Sequence, residues 1–242
     1  MTTIAGLEKI AVFDLETTGL DRETARIVTA YIAVMRRDGS IAQERSWLLN
    51  PGIEIPAAAS AVHGISTERA VAEGVGAATG VHEIMNALRT IIGKDIPIVA
   101  YNAPYDLTII DRESRRYGQE PFGPQWTGAV IDPLVLDRRI DKYRRGRRTL
   151  SATAEHYGVG FEGAHDARAD AVATGKVAWA VLGLLDQDMT TDGLLGLQAT
   201  AAREQGDGLR EYLRRSNPTA VVATAWPMEP FIGGGSAGDP VL

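Results

Sequence analysis

Cysteine is absent from all 242 residues, which excludes disulfides, thiolate zinc sites and a cysteine nucleophile. No uninterrupted apolar stretch approaches the roughly 20 residues of a membrane span. The first ten residues, MTTIAGLEKI, lack the basic start and long apolar segment of a signal peptide, so a cytoplasmic location with no membrane contact is expected by default. Positive charge is not in excess either. The net charge of −6 argues against wholesale electrostatic capture of nucleic acid, and no repeat with a period of about 20–50 residues is visible.

What is present is the composition of a folded globular protein, 45% hydrophobic and 23% charged. The length suits one sizeable domain with an appendage, here residues 1–187 and a helical or irregular C-terminal extension over 188–242. Charge is unevenly spread: Arg138, Arg139, Lys142, Arg144, Arg145, Arg147 and Arg148 form a basic run. Its ordinary role is a solvated helix end and loop, and its alternative is the steering of a phosphate backbone, which weakens as salt rises.

Residues 8–14, 27–37 and 41–49 are β-rich runs, and Asp38-Gly39 between the last two is a hairpin signal, so three strands form an antiparallel meander. Residues 50–65 read as a proline-containing loop. Ser66 or Thr67 caps a short helix, and Thr79 caps a longer one reaching Ile92. Short strand patterns at 97–101 and 129–132 then alternate with helices near 104–117, 133–141, 149–157 and 166–185, which implies parallel crossovers. The expected fold is α/β, a mixed five-stranded sheet flanked by helices. Beyond 186, one amphipathic helix is weakened by Gly193, Gly196, Gly206 and Gly208. The last segment is rich in proline and glycine, with Val221, Val222, Trp226 and Phe231 available to pack on the domain.

The informative stretch is FDLETTGL at 13–20. In a strand, residues i and i+2 share a face about 6.6–7 Å apart, so Asp14 and Glu16 project together where an apolar run enters the core. Paired buried carboxylates are costly unless cations neutralise them, and hard oxygen ligands on one strand suit Mg2+ or Mn2+. Further acids stand at element ends. Asp106 is near a helix start, where it also fits an N-cap, and Asp170 begins the periodic helix 170–182. His165, five residues earlier, has the pKa of a group suited to take a proton from water. Asp166 reads as a first-turn helix acid, and His82 and His156 as structural residues inside helices.

Three segments, Phe13-Asp14-Leu15-Glu16-Thr17-Thr18-Gly19, Asn102-Ala103-Pro104-Tyr105-Asp106 and His165-Asp166-Ala167-Arg168-Ala169-Asp170, together resemble the three motifs of the DEDDh 3'-5' exonucleases. That DnaQ-like family includes the proofreading epsilon subunit of bacterial DNA polymerase III. The resemblance spans roughly residues 8–185, and three motifs in order are far more specific than one. It implies a ribonuclease-H-like fold, two divalent cations held by Asp14, Glu16, Asp106 and Asp170, and His165 as general base. Water would attack the terminal phosphodiester of DNA and release a nucleoside 5'-monophosphate. His63-Gly64-Ile65-Ser66 resembles a softer family feature whose histidine reaches the terminal nucleotide. The resemblance also brings Leu15, Thr17, Thr18, Asn102 and Tyr105 to the substrate. Tyr101 stands where many members have His, and Tyr105 where Phe is common; both keep an aromatic surface for stacking.

The expected substrate is therefore single-stranded or 3'-end nucleic acid, DNA favoured over RNA. The alternatives are an exoribonuclease of the same family and a replication-associated binding module that docks a polymerase or other partner through the C-terminal extension.

Overall fold

The structure, a computed structural model, describes residues 2–122, 128–160 and 167–232. Strands β1 (Lys9–Thr17), β2 (Ile27–Arg36) and β3 (Ile41–Asn50) form the expected antiparallel meander. Its second turn obeys the Asp-Gly signal: Gly39 adopts φ 82°, and the Asp38 carboxylate accepts from the Ser40 N–H at 2.8 Å.

The next segment departs from the expected loop. Helix α1 (Ala57–His63) follows Pro56 directly, because the run AAASAV has high helix propensity and proline suits a helix start. Ser66 then caps α2 (Thr67–Glu73), accepting from the Arg69 N–H. A two-residue strand, β4 (Val75–Gly76), pairs in parallel with β3 and runs straight into α3 (Ala77–Ile92), so that helix starts at Ala77 and not at a Thr79 cap. After it come β5 (Ile98–Val99), α4 (Pro104–Arg116), β6 (Val130–Ile131), α5 (Pro133–Ile140), α6 (Leu150–His156), α7 (Ala167–Leu182) and α8 (Thr191–Arg214).

The mixed sheet has the order β4-β3-β2-β1-β5-β6, with β5 parallel to β1 and β6 parallel to β5. Five of these strands are those the sequence predicts; β4 is the addition, too short and too exposed to leave a pattern. Alternation along β1 serves two cores. Ala11, Phe13 and Leu15 face α3 and α4, whereas Ile10 and Val12 face α7. Asp14 and Glu16 continue the second face past the end of its apolar stretch.

Helix α7 lies close on that face. A Cβ at Gly175 would stand 2.6 Å from Val12 Cγ1, so glycine permits the approach that carries the N-terminal end of α7, with Asp170, to the end of β1. Helix α8 is a continuous 24-residue helix despite its glycines. Packing explains this: Leu194 joins the α7-side core, and the fully buried Gln198 bonds to β6. The segment beyond α8 also lies on the domain, with Trp226 and Met228 against the α3–α4 core and Phe231 over the Arg115 guanidinium at 4.4 Å. Val221, by contrast, is 86% exposed. Among the described residues, no helix is long and apolar enough to cross a membrane.

Candidate active site

Where β1 leaves the sheet, the carboxylates of Asp14, Glu16 and Asp170 each offer an oxygen within 4.8 Å of the other two. All three are half-buried. They come from two distant segments, joined because α7 packs along the face of β1 that carries both acids. Such a set of hard oxygen donors, rich in negative charge, fits Mg2+ or Mn2+ and fits soft metals poorly.

Asp106 lies in the first turn of α4 and is 4% exposed. Its Oδ1 accepts from the Leu15 N–H at 3.0 Å, which ties α4 to β1 between the two strand acids. Burial pushes its carboxyl well above the usual range, and the negative charges of Glu16 and Asp132 add to this while the Leu15 N–H opposes it. The converging trio is Asp14, Glu16 and Asp170; Asp106 stands beside Glu16 with one oxygen turned to the backbone.

The residues expected to touch substrate divide into two groups. His63 lines an open cleft of about 560 Å3 together with Glu16, Tyr31, Trp47, Arg69 and Arg168. Its Nδ1 accepts from the Ile65 N–H at 3.2 Å, its Nε2 is buried without a hydrogen-bond partner among the described residues, and burial lowers its pKa against a smaller opposing effect of the Thr17 backbone. The others are engaged within the fold. Leu15 packs its side chain in the α3–α4 core and gives its N–H to Asp106. The Thr17 hydroxyl bonds to Tyr105 and to the Gly19 carbonyl. Thr18 pairs through backbone and side chain with Arg26. Tyr105 donates to the Gly19 carbonyl at 2.7 Å, bracing the turn after the two acids, a bond that phenylalanine could not make. Asn102 adopts φ 67° and gives its N–H to Asp132 at 3.0 Å. The Tyr101 hydroxyl bonds to the Arg148 carbonyl and to Thr153, both at 2.8 Å. His165 and Asp166 lie outside the described residues.

Two features were not read from the sequence. A polar bridge crosses the cleft: Arg168 pairs with Glu44 at 2.9 Å, and Glu44 accepts from the Tyr31 hydroxyl. Asp132, completely buried, accepts five N–H groups; the signal for its capping role was an Asp immediately before Pro133. The basic run also divides. Arg144 and Arg148 pair with the buried Asp137 at 2.8 and 2.6 Å, leaving Arg138, Arg139, Lys142, Arg145 and Arg147 as its exposed cations.

Residues 11–178 match the RNase T family model, described as Exonuclease, and the chain belongs to that exonuclease family. A DNA polymerase III subunit epsilon-like protein of Rhodobacter capsulatus is 31% identical over 207 residues, which cover 83% of this chain and 27% of the relative. A PolC-type DNA polymerase III of Staphylococcus aureus is 31% identical over 211 residues, 87% of this chain and 14% of the relative. The chain thus spans about a quarter or less of the length of these relatives. Among solved structures, E. coli exonuclease I in complex with a dT13 oligonucleotide shares the fold at TM-score 0.62 and 20% identity, over 81% of this chain and 44% of the other. Exonuclease X in complex with 5'-overhanging duplex DNA does so at TM-score 0.55 and 20% identity, over 78% of this chain and 99% of the other.

Proposed function

We propose that the chain is a metal-dependent 3'-5' exonuclease of the DEDDh type that removes nucleoside 5'-monophosphates from the 3' ends of DNA. The observation that carries this reading is the convergence of Asp14, Glu16 and Asp170 within 4.8 Å, with Glu16 lining the open cleft. Divalent cations bound there supply Lewis-acid polarisation of the phosphate and a water of lowered pKa. Asp14, Glu16 and Asp170 hold them, with Asp106 contributing from α4. His165 takes the proton from water, as the family resemblance implies. His63 meets the terminal nucleotide at the cleft wall, and the Tyr105 hydroxyl keeps the turn after Glu16 in place.

DNA is the favoured substrate because structures sharing this fold were solved with DNA bound, and the polymerase III names among the relatives support a replication setting with a polymerase partner. The test uses 5'-labelled single-stranded DNA and RNA of one sequence. With Mg2+ or Mn2+ the DNA shortens stepwise from its 3' end, faster than the RNA; in EDTA it stays intact. Asp14→Ala lowers the rate by more than about 100-fold, beyond the usual cost of losing a supporting group around a metal. A ladder that persists in EDTA or in Asp14→Ala contradicts the reading, and faster loss of RNA makes the protein an exoribonuclease.

A further inference from the structure

We infer that Asp132, seated on Gln198 of α8, is a positioning residue for the acid site, which makes the C-terminal helix part of the active-site scaffold. The inference deepens the exonuclease reading and rests on it for its kinetic consequence.

One carboxylate serves two helix starts. Asp132 Oδ1 accepts from the N–H groups of Leu134 and Val135 at 3.0 and 3.4 Å, the first turn of its own helix α5. Asp132 also accepts from Asn102 and Ala103 at 3.0 and 2.9 Å, the turn that opens α4. The turn has no local substitute for this support, because the N-cap residue of α4 is Ala103, which has no side-chain acceptor, and its first residue is Pro104. Asn102 sits at φ 67°, a left-handed conformation that asparagine tolerates better than most residues but that persists only when its surroundings hold it. Asp106 lies in the first turn beyond, and its Oδ1 holds the Leu15 N–H between Asp14 and Glu16.

Asp132 is itself fixed from the C-terminal side. Its N–H donates to Gln198 Oε1 at 2.7 Å, and Gln198 Nε2 donates to the Val130 carbonyl at 2.9 Å. The Trp226 indole N–H reaches Asp132 Oδ2 at 3.3 Å. Hydrogen bonds, joined by the backbone of the first turn of α4, therefore connect α8 through the end of β6 and the α4 turn to Asp106 and β1. Gln198 and Trp226 lie beyond residue 178, where the family match ends, yet they anchor the group that sets the position of α4.

The test compares the wild type with Asp132→Asn, whose amide turns an NH2 toward N–H donors, and with Gln198→Met, which keeps length but loses both bonds. One readout is hydrogen exchange of the Leu15 amide, which touches Asp106 but not Asp132. The other is the split between kcat and KM on a 5'-labelled oligonucleotide. Both variants are expected to exchange Leu15 about tenfold faster. They lower kcat by about 10- to 100-fold, as loss of a supporting group around a metal site does, with KM changed less than about threefold. Should Asp132→Asn fail to fold, Gln198→Met and Trp226→Phe carry the same readouts. An unchanged Leu15 rate, or an unchanged kcat in an active enzyme, overturns the inference and reduces Asp132 to a helix cap. A wild type without 3' hydrolysis removes the exonuclease reading instead, while the Leu15 rate still decides the positioning.

Discussion

Asp106 sets a pH rule for the metal-free protein. Its folded-state pKa is raised, by burial first and by Glu16 and Asp132 next, so the native chain keeps a proton over a window in which the unfolded chain has released it. Stability therefore falls as pH rises from about 4 through the folded-state value. In EDTA, Tm should decrease as pH rises above the ordinary carboxylate range, and Asp106→Asn should flatten that slope and raise Tm at neutral pH, by about 2–4 °C for each kcal/mol relieved. A thermal scan across pH checks this; an equally steep slope in the variant contradicts it. At this scale the sequence was legible where a residue type has few other uses. Asp14 and Glu16 at i and i+2 on an apolar strand announce a shared face. The engagement of Leu15, Thr17 and Thr18 inside the fold was not visible, because it depends on Asp106, Tyr105 and Arg26, partners that only the tertiary structure brings near. Asp132 was hidden for the same reason: its position before Pro133 signals one helix cap, and the α4 turn it also holds is remote in sequence.

At the scale of elements, the site depends on how closely α7 lies on β1. Gly175→Ala places a Cβ 2.6 Å from Val12 and 2.8 Å from the Met35 sulfur, and overpacking of this kind costs about 1–3 kcal/mol. Because α7 also carries Asp170, the variant should lose activity as well as stability. The expected result is a lower urea midpoint together with weaker Mn2+ binding; loss of stability with unaltered Mn2+ affinity would separate the packing from the site. Long elements with strong periodicity were legible, as β1–β3, α4 and α7 illustrate. Helix α1 was not, since a proline signals a loop as readily as the helix start that Pro56 provides here. Neither was β4, whose two exposed residues form a strand only because β3 offers them an edge. The glycines of α8 suggested weakness because local propensity takes no account of the packing that α8 gains from Leu194 and Gln198.

Over the whole molecule, charge separates into structural and available parts. Burial alone would raise the Asp137 carboxyl, but bonds from Arg144, Arg148 and Tyr157 hold it below the ordinary range, and both arginines are thereby committed to the fold. On the exonuclease reading, steering of a nucleic acid would fall to the exposed members of the run. Replacing Arg138, Arg145 and Arg147 with Gln should lessen the salt dependence of oligonucleotide binding, by up to about 0.7 in slope for each phosphate of a single strand that the run no longer neutralises, with Tm little changed. An unaltered slope would remove that run from the binding surface. On the proposed function, the end of β1 is the centre of the chemistry. Its most direct test is the anomalous scattering of Mn2+ in crystals of the protein grown with a nucleoside 5'-monophosphate. The account predicts a Mn2+ peak coordinated by Asp14, Glu16 and Asp170, with the phosphate beside it and His63 at the nucleotide. A peak elsewhere, or none at this acid trio at saturating Mn2+, would contradict it.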